Sequence, residues 1–129
     1  MTNDFPYTQI RIARPTDQLD KVVDFYKNGL GLKQIGQFND HDGISGVMLG
    51  LPNESYHLEF THHKEGSPCP APTKDNLLVF YMQSSEHRDK IVQRLNEKGY
   101  VAVEPENPYW KTDGVTIEDP DGWRIVLMK

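Results

Sequence analysis

The chain has 129 residues, enough for one compact domain or two small modules around a shared core. Its net charge is −5 and its Lys and Arg residues are scattered, which argues against nucleic acid or a polybasic membrane contact as partner. No apolar run nears the ~20 residues that span a bilayer, and Met1-Thr2-Asn3-Asp4 lacks the basic start and apolar core of a leader, so the expected location is the cytoplasm.

Alternation of Gln9, Arg11 and Ala13 with Ile10 and Ile12 predicts a first strand over 7–13. Pro15-Thr16-Asp17 then caps a helix in which Leu19, Val22, Val23, Tyr26 and Leu30 recur at helical spacing, until Gly29 and Gly31 end it. Strands are expected over 33–38, 46–51 and 55–61, the last two joined by the turn Pro52-Asn53-Glu54. Gly66, Ser67 and the prolines 68, 70 and 72 resist regular structure and mark a connection over 64–74. Cys69 lies between two of those prolines and is the single cysteine, so no internal disulfide can form. The order then repeats. A strand over 76–82 leads to a helix over 85–98, capped near Ser84 and burying Ile91, Val92 and Leu95. Strands over 101–104, 114–118 and 123–128 follow, the last entered through Asp119-Pro120-Asp121-Gly122. Module one thus covers 7–63 and module two 75–129 of a single domain.

The repetition extends to residues. Asp20-Lys21-Val22-Val23 returns as Asp89-Lys90-Ile91-Val92, and Tyr56-His57-Leu58-Glu59-Phe60 aligns with Trp123-Arg124-Ile125-Val126-Leu127, at a spacing of about 68 residues. A duplicated unit about a pseudo-twofold axis creates one shared concavity. The copies agree in apolar pattern and differ in chemistry, Glu59 aligning with Val126. If Leu58 and Phe60 face the helix, the strand period of two turns His57 and Glu59 to the concave side. The same rule assigns Gln9, Arg11, Asn76, Leu78, Arg124 and Val126 to that side.

Leu19-Asp20-Lys21-Val22-Val23-Asp24-Phe25-Tyr26 followed by Gly29-Leu30-Gly31-Leu32, with Glu118-Asp119-Pro120-Asp121-Gly122-Trp123 before a final strand, resembles the vicinal oxygen chelate superfamily. That group includes glyoxalase I, extradiol dioxygenases, and fosfomycin- and bleomycin-resistance proteins. The resemblance implies an α+β fold of two tandem βαβββ modules, forming a curved, mainly antiparallel sheet of about eight strands around a concave cavity. It also implies metal ligands, in the metal-dependent members, at positions matching Gln9 (or Arg11), Glu59, Asn76 and Val126. Glu59 alone of these is a typical ligand, so no metal site of the usual pattern is expected, and His57 is the plausible companion for an unusual one. The competing reading has Glu59 neutralised by Arg11 or Arg124.

Asn107-Pro108-Tyr109-Trp110 offers two loop aromatics, either a lid or a dimer contact. His41 lies in the acidic stretch Asn39-Asp40-His41-Asp42-Gly43, read as a loop that could steady a hairpin, bind a cation weakly or close over the cavity. The expected function is binding of a small organic molecule by Gln9, Arg11, Asn76, Arg124, Tyr109 and Trp110, with Glu59 and His57 as catalytic candidates and a homodimer as the expected assembly. The alternative is a metal-dependent lyase, isomerase or dioxygenase built around His57 and Glu59. The cofactor is either none or a divalent metal ion.

Overall fold

A computed structural model describes residues 5–51 and 54–129. The expected features at 1–4 and at Pro52-Asn53 lie outside the described residues. Strand β1 (Ile10–Pro15) leads through Thr16, whose Oγ1 accepts from the Gln18 N–H at 3.0 Å, into a short helix α1 (Leu19–Val23). The next turn, Asp24–Gly29, is π-helical, a widening that the periodicity alone did not indicate. Strands β2 (Lys33–His41), β3 (Ile44–Gly50) and β4 (Tyr56–His63) complete module one. Module two follows as β5 (Leu77–Tyr81), α2 (Ser85–Glu97), the two-residue β6 (Ala102–Val103), a 3₁₀ turn (Pro108–Lys111), β7 (Gly114–Glu118) and β8 (Arg124–Met128).

The eight strands form two four-stranded mixed sheets, in the orders β1-β4-β3-β2 and β5-β8-β7-β6. Each has one parallel pair, β1 with β4 and β5 with β8, and antiparallel pairs elsewhere, so the two modules share one topology. The two tandem βαβββ modules expected are thus present, each with its own four-stranded sheet, and the sheets do not close into a barrel. His41 is a correction. It ends β2 within the strand, because Asp42 and Gly43 both take positive φ (54° and 83°) and make the tight turn that Asp-Gly favours. The expected loop shrinks to those two residues.

The modules pack through their helical sides. Gly29 lets α2 approach, since a Cβ there would stand 2.5 Å from Leu95 Cδ2, and Arg94 Nε donates to the Gly29 carbonyl at 2.6 Å. Phe25 meets the edge of Tyr100 at 4.9 Å between ring centres. Val22, Phe25, Tyr26, Leu49, Leu58 and Phe60 from module one join Leu95, Ile117, Ile125 and Leu127 from module two in one buried cluster. Phe80, Ile91 and Val92 border that cluster and are only partly buried. Burial of each such large side chain is worth about 1.5–3 kcal/mol, which ties the modules together without a ladder between the sheets.

Candidate functional site

Each sheet turns one face toward this core and one away from it. In β4, Leu58 and Phe60 are in the core, so His57 and Glu59 stand on the open face. Parallel pairing aligns Arg11 with His57 and Ala13 with Glu59, bringing the β1 side chains to the same face. Arg11 Nε donates to His57 Nε2 at 2.9 Å, so the ring hydrogen resides on Nδ1. Gln9 Nε2 stands 3.3 Å from Nδ1 on the other side of the ring. Arg11 Nη1 also faces Glu59 Oε2 at 3.4 Å. The side chains of Arg11 and Glu59 are 47% and 12% exposed, while His57 is buried at 5%. The result is a polar strip in which a deep histidine and a carboxylate steady a half-exposed guanidinium. A cavity of about 250 Å³ adjoins His57, walled by Tyr56, Ile35, Leu51 and Gly50 with Lys33 and Glu54 at its rim.

Module two presents different chemistry on the face turned away from the core, where every residue of β8 is buried. Arg124 is 5% exposed, its Nε donating to Glu118 Oε2 and its Nη1 to the Glu104 carbonyl, both at 3.0 Å. Val126, fully buried, provides no donor atom. Leu78 packs against the core, contrary to the expected alternation: pairing of Leu77 with Arg124 and Val79 with Val126 puts Leu77 and Val79 on the face away from it. Asn76 stands just before the strand and its Oδ1 accepts from Thr73 Oγ1 at 2.6 Å. Tyr109 and Trp110 meet edge to face at 5.0 Å on the 3₁₀ turn, whose Trp110 carbonyl rests where a Gly114 side chain would project. Tyr109 is 65% exposed. Of the expected site residues, the fold therefore brings together Gln9, Arg11, His57 and Glu59. Asn76, Arg124, Tyr109 and Trp110 belong to module two, and none of them lines the cavity beside His57.

The positions expected to hold a metal do not fit one. Glu59 faces a guanidinium, His57 Nε2 accepts from the same group, and among the described residues no three His, Cys, Asp or Glu side chains converge.

A second charged cluster escaped the reading by strand and turn. Arg14, at the end of β1, stacks between the rings of Phe60 and Trp123 at 4.9 and 5.0 Å. Its Nη2 is paired with Asp119 and its Nη1 donates to Asp121 Oδ2 at 2.9 Å. Asp119 also accepts from Tyr26 Oη at 2.7 Å and from the backbone N–H groups of Asp121 and Trp123. Gln18 Nε2 donates to Asp121 Oδ1 and the Pro120 carbonyl. Burial raises the Asp119 pKa above its ordinary 3.8 even against Arg14 and these donors. Burial, then the neighbouring Asp119 charge, holds the Tyr26 hydroxyl well above 10.0. The Asp-Pro-Asp-Gly turn is thus a clamp on module one, and Arg14 is the residue that only the assembled fold identifies.

Comparison with known proteins agrees with this two-part architecture. Residues 10–61 match the YycE-like N-terminal domain and residues 75–129 the YycE-like C-terminal domain. The uncharacterized protein YycE of Bacillus subtilis is 56% identical over 124 residues, covering 96% of this chain and 89% of its own. The crystal structure of a Bacillus subtilis YycE protein of unknown function superposes with a TM-score of 0.90 at 57% identity, over 94% of this chain and 88% of that one. Glyoxalase I of Leishmania major shares the fold at a TM-score of 0.74 and 16% identity, over 96% and 87% of the two chains. TnmS3, an antibiotic-binding protein from Streptomyces sp. CB03234, shares it at 0.66 and 21%, over 98% of each chain. With both halves matched in order and most of its length shared with the Bacillus relative, this chain belongs to the YycE-like family, on the glyoxalase and bleomycin-resistance fold.

Proposed function

We propose that the chain binds a small organic molecule on the open face of module one, without a metal, and works as a homodimer. The observation that carries this reading is the half-exposed Arg11, steadied by His57 and Glu59, beside a cavity of about 250 Å³. A guanidinium has five N–H groups, and the two neighbours engage part of that set. With the side chain 47% exposed, the rest is left for an anionic or carbonyl oxygen. The dimer has a separate support. Ile10 and Ile12 on the edge strand β1, with Tyr56 on β4 and Tyr81 on the edge strand β5, leave 40–70% of their surfaces open, which favours a second subunit against these edges.

The fold does not choose between chemistries, since it serves both glyoxalase I and an antibiotic-binding protein. A metal-dependent lyase, isomerase or dioxygenase built on His57 and Glu59 would need both groups released from Arg11, and no observation favours that release. Elemental analysis after loading with nickel, zinc, manganese or iron decides between the two. We expect no stoichiometric retention after dialysis, and a rise in melting temperature with small organic anions in the presence of a chelator. Retention of one ion per chain that is lost in Glu59→Ala overturns the proposal.

A further inference from the structure

We infer that the ligand is amphipathic, a flat apolar body carrying one carboxylate, an assignment that rests on the binding reading above and adds the class of molecule. The observation behind it is separate from the polar strip. Gly36, Gly46 and Gly50 all lie on the open face of module one, in register with Met48, Thr61 and His57 respectively. A Cβ at each would run into a bulky apolar side chain from the adjacent strand: Met48 Cε at 2.7 Å for Gly36, the Phe38 ring at 2.5 Å for Gly46, and Ile35 Cγ2 at 2.9 Å for Gly50. Three glycines thus let Met48, Phe38 and Ile35 lie down across the sheet, and together they form an apolar shelf beside the polar strip.

The strip and the shelf share one face. Met48 is paired with Glu59, and Gly50, under Ile35, is paired with His57. Ile35 remains 59% exposed and lines the cavity that His57 also lines. An exposed Ile held flat over Gly50, whose strand partner is His57, is poorly explained by folding alone, because the core is on the other face. A flat hydrocarbon over the shelf removes that surface from water while its carboxylate receives the outer N–H groups of Arg11.

The test uses the full chain and three probes: acetate, benzoate and 1-naphthoate, titrated by calorimetry with amide NMR mapping. The expected order is naphthoate, then benzoate, then acetate, with roughly tenfold or more between the first and last from the apolar area covered. Ile35→Ser should weaken naphthoate several-fold and leave acetate unchanged, whereas Arg11→Gln should weaken all three. Equal affinities for acetate and naphthoate, both dependent on Arg11, would sink the shelf and leave the binding site standing. Naphthoate binding indifferent to both substitutions, or no binding of any probe at millimolar concentration, overturns this inference, and the second result counts against the site itself. A fall in the mass of the assembly by sedimentation in Ile35→Ser would assign the shelf to a contact between copies and overturn it too.

Discussion

Arg11 and Arg14 sit three positions apart on one strand, and the odd spacing sends them to opposite faces. Arg14, its side chain 14% exposed, lies between two aromatic rings and is paired with two carboxylates that other donors support. Arg11 is half exposed, bonded through its Nε to a histidine and paired at 3.4 Å with one carboxylate. Both are arginine beside acid, yet one closes the gap between modules while the other leaves donors pointing outward. A cation whose every direction is satisfied holds structure; one satisfied on a single side is prepared for something else. Arg124 of module two falls with Arg14 in this comparison, since it is 5% exposed and donates to Glu118 and the Glu104 carbonyl.

The clamp carries the largest expected effect on stability. Asp119→Ala strips Arg14 and Tyr26 of a shared acceptor inside the protein and should lower stability by about 3–5 kcal/mol, as removal of one buried partner does. Urea denaturation measures it, and a loss below about 1 kcal/mol would mean that water compensates the cluster. Tyr26→Phe removes one donor from the same carboxylate and should cost about 1 kcal/mol. Its effect should shrink to near zero in the Asp119→Ala background, as coupled partners do in a double-mutant cycle.

Titration sharpens the same contrast. Burial raises the folded Asp119 pKa above 3.8, so between 3.8 and that value the folded state binds more protons than the unfolded one. This group therefore favours folding at low pH, and that contribution fades as pH rises through the folded value. Surface Asp24 works in reverse. Asn28 first, then Lys98, donate to it and lower its pKa, so its stabilisation is full above 3.8 and fades as pH falls through the lower folded value. Carboxyl-carbon NMR should find the two midpoints on opposite sides of 3.8, and coincident midpoints would contradict the burial of Asp119.

The fold was legible because its signals are local. Alternation in 7–13, though the strand it announces runs Ile10–Pro15, the Ser84 cap on α2, and the Asp-Pro-Asp-Gly turn each announce an element from adjacent residues. The duplication supplied the topology. Half of the candidate site was legible for a related reason, since His57 and Glu59 follow from the period of one strand once Leu58 and Phe60 are given to the core. What failed depended on register and distance. Whether Leu77 or Leu78 meets the core is decided by pairing with Arg124 on a strand 47 positions away, which no local pattern encodes. The partners of Arg14 lie 105 and 107 positions distant. The three open-face glycines read as strand interruptions until the side chains beside them are seen lying across the sheet.

The smallest expected stability effect belongs to Arg11, and its smallness is the sharpest form of the contrast. Arg11→Gln removes a half-exposed ion pair of 3.4 Å and one hydrogen bond to His57, so unfolding free energy should change by no more than about 1 kcal/mol. Gln keeps a donor that can reach toward the ring. The same substitution should abolish the thermal shift produced by organic anions, because the outward N–H groups disappear with the guanidinium. A large loss of stability with binding intact would class Arg11 with Arg14, as a structural cation. Near-native stability with binding lost would separate two arginines that composition treats as the same residue.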